Sequence, residues 1–265
     1  MESRFVKSLM LALMGLVMSG PALCEPSADE IMQKSLLSIK VLDSITRSTF
    51  RLINAAGQQR VRETDGQTKL ISGTTDNRRL VNFLSPADVR GTKTLLIEHS
   101  AADDDIWIYL PAMKKVRRLV ASNKKDSFVG TDFSYGDVIG HKVEDWNHKL
   151  MPQQQIDGRD CYVVESTPKR PEVADNTGYS KRVSWIDKES FVAVRGELYD
   201  EGGALLKRTR AEDVQLVDPV NHRYQPMRLT AENVQTGHRT LIEFSQFKSN
   251  VGVADEVFSA RSLDN

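Results

Sequence analysis

Two cysteines are all the chain holds, Cys24 and Cys161. A secreted domain stapled by disulfides needs pairs, and the first of these two falls at the end of a leader-like segment, so the fold has to rest on its own hydrophobic core. With so few thiols and no H-x-x-x-H or H-x-H pair among His99, His141, His148, His222 and His238, zinc coordination has no ligand pattern to work with. Charge is equally uninformative: 36 basic and 36 acidic side chains cancel. A nucleic-acid binder normally carries a basic excess gathered into a stripe, so that class recedes. Long apolar runs are missing too. The longest, Leu9 to Met18, is far short of the ~20 residues that cross a bilayer.

That run has the marks of an export signal. Arg4 and Lys7 precede it, Ser19-Gly20-Pro21 break it, and "ALC" ends it. Cleavage is expected after Cys24, leaving residues 25–265 as one domain. Lipidation at Cys24 would need a small residue before it, and Leu23 is not small.

Catalytic signatures are also lacking. There is no G-x-S-x-G elbow and no Ser-x-x-Lys, and Ser127 and Ser134 have no evident base. Gly130, Gly136 and Gly140 do not join a strand to a long helix, so they form no phosphate loop. Asp103, Asp104 and Asp105 lack the alternation, central glycine and final glutamate of a calcium loop, and read as charge at a hairpin tip. Cys161, inside the apolar "DCYVVES", reads as an inert buried thiol, and His99 and His148 read as surface residues. The expectation is a non-enzymatic protein with no cofactor and no metal.

What the chain does contain is a β rhythm. "SADE" at 27–30 is a capping box, opening a helix whose apolar face takes in Ile31, Met32, Leu36, Leu37 and Ile39. After Asp43, β-branched and aromatic runs alternate with turn signals roughly every ten residues. Thirteen strands are expected: 44–54, 59–71, 78–84, 92–99, 105–110, 115–120, 142–149, 154–167, 180–187, 190–199, 204–216, 226–236 and 238–248. "AAGQ", "AADDD", Asp157-Gly158, "DEGG" and Thr236-Gly237 mark turns. No strand–helix alternation suggests a parallel sheet. The class is mainly β (α+β), an antiparallel sandwich or barrel. One face should be solvated, since Val183 and Trp185 oppose Arg182 and Ser184, and Ile242 and Phe244 oppose Leu241 and Glu243. The stretch 168–178 reads as an irregular loop, and the tail from about Ala254 as a short helix docking Val257, Phe258 and Leu263.

One region carries more. Phe83 with Pro86, Asp88, the Gly91-Thr92 pair, "DIWIYLPAMKKVRR" at 105–118 and "SFVGTDFSYGD" at 127–137 together resemble the outer-membrane-lipoprotein-sorting-like proteins, a branch of the LolA/LolB-like superfamily. The leader, the early helix, the many strands and the final "VFSARSL" agree with it. The resemblance implies a curved, incomplete antiparallel β-barrel wrapped around a few short helices, with an apolar cavity for acyl chains. The best-known members carry lipoproteins across the periplasm. This branch is often linked with lipid-exporting transporters, so an inner-membrane transporter is an implied partner. The same fold also serves a periplasmic regulator that senses mislocalised lipoproteins, which leaves an envelope-stress sensor as the second reading and an unrecognised hydrolase as the third.

An acyl carrier needs a dry apolar pocket, and each buried methylene contributes about 0.8 kcal/mol. Inward strand residues expected to line it are Phe50, Leu52, Phe83, Leu96, Trp107, Tyr109, Trp185 and Phe244; the same residues would equally fill a solid core. Arg117 and Arg118 either meet an anionic headgroup or guard an edge strand. "SFVGTDFSYGDVIG" reads as a short lid, with Thr131 capping a helical turn from Asp132 and Phe128, Phe133 and Tyr135 plugging the interior. Phe133→Ala would then cost roughly 3–5 kcal/mol if that ring is fully buried.

Overall fold

The computed structural model describes residues 25–264; the expected leader, Met1–Cys24, lies outside the described residues. The chain opens with helix α1 (Ala28–Ser38), capped as its sequence requires: Glu30 N donates to Ser27 Oγ at 3.2 Å and Ser27 N donates to Glu30 Oε2 at 2.7 Å. Ile31 is fully buried against Val164 and Ile186, whereas Ile39, counted in the apolar face, stands half exposed just past the helix end.

Thirteen strands follow: β1 (Asp43–Ile53), β2 (Gln59–Leu70), β3 (Asn77–Ser85), β4 (Lys93–Ile97), β5 (Asp105–Leu110), β6 (Lys115–Leu119), β7 (Trp146–Ile156), β8 (Arg159–Pro168), β9 (Lys181–Asp187), β10 (Ala193–Tyr199), β11 (Leu205–Asp218), β12 (Arg223–Asn233) and β13 (His238–Ser249). Several expected boundaries move, among them 142–149 to 146–156, 190–199 to 193–199 and 226–236 to 223–233. A strand over 154–167 is interrupted, because Asp157 (φ 49°) and Gly158 (φ 80°) form the tight hairpin turn between β7 and β8. β7 passes through Pro152 because the proline sits at an irregularity in an edge strand, where no ladder donor is needed. Residues 168–178 are not a loop throughout. Helix α3 (Pro171–Thr177) occupies them, with proline at its start and Gly178 in the left-handed conformation at its end. The C-terminal segment forms two short 3-10 turns, Asp255–Val257 and Ala260–Ser262, rather than a helix.

All thirteen strands form one antiparallel sheet in the order β6-β5-β4-β3-β2-β1-β13-β12-β11-β10-β9-β8-β7. It is two meanders joined by the β1–β13 pair, curved but not closed. β6 and β7, consecutive in sequence, are its two edges. The connection between them, residues 120–145, therefore has to cross the sheet from one edge to the other.

Cross-strand register defines which side it crosses. Ile108, Thr94, Val81, Gly66 and Thr46 are successive partners across β5 to β1. Thr240, Ala231, Thr209, Gly196, Ser184, Val164 and Leu150 are successive partners from β13 to β7. Both rows lie on one continuous face, the concave one, which also carries Phe50, Phe83, Leu96 and Ile242. On the opposite face of β3–β6 the C-terminal segment packs Val253, Phe258 and Leu263 around Leu95.

Two glycines mark close approach on the concave side. A β-carbon added to Gly66 or to Gly196 would lie 2.5 Å from the Oγ1 of its cross-strand threonine, Thr46 or Thr209 respectively, and within 3.9 Å of that residue's Cβ. Cross-strand β-carbons normally sit about 4.5–5.5 Å apart. Gly196→Ala is expected to destabilise the protein by about 1–3 kcal/mol in chemical denaturation. Combined with Thr209→Ala, most of that loss should return; a simple sum of the two single effects would show that crowding is not the cause.

Candidate functional site

The connection between the edge strands is built from the sequence that stood out earliest. Ala121–Lys125 and Phe128–Gly130 make 3-10 turns and Tyr135–Ile139 makes helix α2. The cap of α2 is Ser134, not Thr131. Ser134 Oγ accepts from Asp137 N at 3.0 Å, and Ser134 N donates to Asp137 Oδ2 at 2.9 Å. Thr131 instead bonds within the preceding turn, donating to Phe128 O at 2.8 Å.

Phe128, Tyr135 and Ile139 are buried in one cluster with Phe50, Phe83, Leu96, Ile106 and Ile242; Leu52, Phe133 and Phe244 pack against it half-buried. The rings run in series, Phe50 to Phe83 at 6.0 Å, Phe83 to Phe128 at 6.1 Å and Phe128 to Tyr135 at 5.4 Å. Eight of the eleven residues expected to line a pocket meet here. The other three do not. Trp107 and Tyr109 point to the opposite face, against the C-terminal segment, because they alternate with Ile106 and Ile108. Trp185 joins Cys161, Val163, Val192 and Val194 in a separate cluster. The same alternation splits the two arginines of edge strand β6. Arg117 pairs with Ile108 on the concave side, while Arg118 pairs with Asp105 and lies over the Trp107 ring at 5.8 Å.

The crossing segment is held to the sheet by polar side chains from four strands. Arg62 of β2 donates to Val129 O, and Arg79 of β3 donates to Val138 O. Thr240 of β13 accepts from Asp132 N at 3.0 Å and donates to Asp132 Oδ2 at 2.7 Å. Lys207 of β11 donates to Asp137 Oδ2 at 2.6 Å. Between these latches Val129 is held at φ 48°, ψ 40°, a left-handed conformation that disfavours a β-branched residue by roughly 1–2 kcal/mol.

The Lys207 latch is the centre of a buried polar cluster. Tyr179 Oη donates to the Asp137 carboxylate, 3.0 Å from either oxygen, and accepts from Lys207 Nζ at 2.9 Å. His141 Nε2 lies 3.6 Å from Asp137 Oδ1, and its ring meets Trp146 and Tyr179 edge-on. Burial alone would raise the Asp137 carboxyl, but Lys207 and His141 outweigh it and hold the group far below the usual range. Burial would also lower Lys207, yet Asp137 and Tyr179 keep it above its ordinary value. Burial and the Asp137 charge push Tyr179 up to about 12. Burial, with Arg182 nearby, pulls His141 down to about 4, so the imidazole is neutral at neutral pH.

Nothing in the sequence pattern flagged Lys207, Tyr179 or His141, since long-range packing alone unites them. The Ser134–Asp137 spacing was a legible cap. Elsewhere the residues considered for chemistry have structural partners. Asp104 pairs with Lys124 at 2.6 Å, and His148 bonds Ser166 Oγ at 2.8 Å. Ser127 donates to Thr131 O at 2.5 Å, and the Cys161 thiol is fully buried.

Where the crossing segment meets the rim of the sheet, a cleft of about 680 Å³ opens, lined by Phe133, Ser134, Tyr179, Leu206, Lys207 and His238 among others. A second of about 490 Å³ lies between residues 100–104 and α3. Phe50, Phe83 and Phe244 line neither, because the crossing segment covers them.

An open half-barrel whose apolar concave face is roofed by its own edge-to-edge connection is an architecture that known proteins share. The chain belongs to the outer-membrane-lipoprotein-sorting-like proteins and has the LolA-like fold. A family model described as "Uncharacterized protein" matches residues 75–265. The fold is similar to that of an outer membrane lipoprotein-sorting protein domain from Vibrio parahaemolyticus, with TM-score 0.82 and 28% identity over 90% of this chain and 98% of that one. It is also similar to a DUF1329 family protein from Desulfovibrio piger, with TM-score 0.79 and 29% identity over 89% and 95% of the two chains. A LolA superfamily protein from Nitrosomonas europaea shares the fold at TM-score 0.66 and 22% identity, over 88% of this chain and 98% of that one. No curated protein matches.

Burial assigns the larger energetic role in the segment to Phe128, 2% exposed, and not to half-buried Phe133. Chemical denaturation should show Phe128→Ala costing about 3–5 kcal/mol and Phe133→Ala about 1–2 kcal/mol; equal costs would mean that the segment is not seated as described. The cluster also sets an acid response. Between pH ~6.5 and about 4 the unfolded chain protonates residue 141 while the folded chain resists it. Stability should therefore fall with pH in that window, by up to about 3 kcal/mol from this histidine. His148, also lowered by burial, adds in the same direction. His141→Gln should flatten most of the slope; an unchanged slope would move its origin elsewhere.

Proposed function

We propose that this protein is a periplasmic, non-enzymatic carrier that binds lipid or lipoprotein acyl chains on the concave face of the half-barrel. Export by the leader precedes this, and residues 25–265 act as one domain. The residues proposed to meet the acyl chain are Phe50, Leu52, Phe83, Leu96 and Phe244, with Phe128, Phe133 and Tyr135 moving aside. The observation that carries the reading is the way these rings are covered. The roof is a single connection, held by four polar latches and strained at Val129. Rings of the roof occupy the apolar face in the closed form, and an acyl chain offers the same face equivalent area at about 0.8 kcal/mol per methylene. Exchange of one apolar cover for another needs no covalent chemistry.

No helix among the described residues is long and apolar enough to cross a bilayer. Cargo handed from an inner-membrane lipid transporter towards the outer membrane is the route the reading implies.

The roof supplies the test. A variant with Cys161→Ser, Asp132→Cys and Thr240→Cys places a thiol on the segment and another on β13 where the two already touch. Oxidised, it should lose uptake of a fluorescent fatty-acid probe by at least tenfold; reduced, it should recover. Equal uptake in both states, with the crosslink verified by mass spectrometry, would sink the proposal that the segment must move. Native purification with lipid mass spectrometry should recover bound lipid from the unlocked protein.

A further inference from the structure

One deep-lying charged side chain on the concave face is left over once the latches are accounted for. Register places His148, Ser166, Arg182, Leu198 and Lys207 in one cross-strand row. Lys207 is satisfied by Asp137 and Tyr179, and His148 by Ser166 and Val143. Arg182 has no hydrogen bond or ion pair among the described residues, and its Nε is buried without a partner. It lies deep among protein atoms, while the residue as a whole keeps part of its surface accessible.

Asp137 attracts it through space but makes no hydrogen bond or ion pair with it. The Asp137 carboxylate already receives Ser134 N, Tyr179 Oη and Lys207 Nζ. With His141 neutral, the cluster holds two cations and one anion. A buried charge without a paired and hydrogen-bonded counter-charge is costly, and such groups cluster where a ligand completes them. Trp146 adds orientation. Its ring centroid lies 5.3 Å from the guanidinium carbon, a cation–π contact that limits how the fork can turn, and a fork of this kind suits two oxygens at once.

We infer that Arg182, oriented by Trp146, anchors an oxyanion subsite on the concave face, taking the phosphate or carboxylate of the bound molecule. The identity of that molecule as a lipid rests on the carrier reading above; the subsite itself does not. Arg117 and Arg118, at the sheet edge and on opposite faces, are not part of it.

Binding of decyl phosphate, decanoate, decanol and inorganic phosphate to the mature chain, each below its aggregation concentration, separates the two ideas by calorimetry. Decyl phosphate or decanoate should bind at least tenfold more tightly than decanol, and Arg182→Gln should erase that preference while keeping decanol binding. Arg182→Lys, which retains charge without the fork, should keep only part of it. Equal binding of all three alkyl ligands by the wild type overturns the subsite and leaves the carrier reading standing. Arg182-dependent binding of inorganic phosphate as tight as decyl phosphate, with no decanol binding, supports the subsite and removes the acyl site. A preference that survives in folded Arg182→Gln, or no binding of any ligand, overturns the subsite. If Arg182→Gln does not fold, the wild-type preference and its reduction in Arg182→Lys decide.

Discussion

The structure depends on one topological constraint: the two edges of an unclosed sheet are consecutive in sequence. The link from β6 to β7 must run from edge to edge, and it traverses the concave side, which is apolar at its centre. The link therefore cannot be an ordinary solvated loop. It has to bring its own apolar surface, which Phe128, Tyr135 and Ile139 supply, and it has to satisfy its backbone far from water. Arg62 and Arg79 do the latter by donating to Val129 and Val138 carbonyls.

This explains why a face expected to be hydrophobic also carries arginine, lysine and threonine. Burial disfavours the charge on Arg62, Arg79 and Arg182 alike, with Asp88, Glu98 and Asp137 respectively offsetting it. For Lys207 and Asp137 the pairing is direct, and removing either partner from such a pair typically costs about 3–5 kcal/mol because the other is left buried and alone. Polar attachment specifies one seating of the segment without making it permanent. A wholly apolar attachment would add to the core without specifying that seating.

Legibility followed range. The thirteen strands were readable because alternation and turn residues act over a few positions, and the α1 cap because Ser27 and Glu30 are three apart. Proline and glycine flanking α3, and the Ser134–Asp137 cap of α2, were readable on the same grounds, though the irregular composition around them masked both. The inward set was legible in part. Phe50, Phe83 and Leu96 fell on the concave face, but Trp107, Tyr109 and Trp185 did not, since bulk and aromaticity do not say which side of a sheet a strand residue takes. His148, read as a surface residue, turns inward to Ser166.

Sequence by itself determined the local elements, the absence of a disulfide framework and, through the 82–138 pattern, the family. Only the tertiary structure decided what those elements enclose. Asp137, Tyr179, His141 and Lys207 meet because the crossing segment, the second residue after α3 and β11 converge, over separations of up to seventy residues. No short-range spacing encodes that convergence. Arg182 shows the same limit most plainly: in sequence it is one polar position in an alternating strand, and only the packing around it reveals a deep-lying cation whose Nε has no hydrogen-bond acceptor.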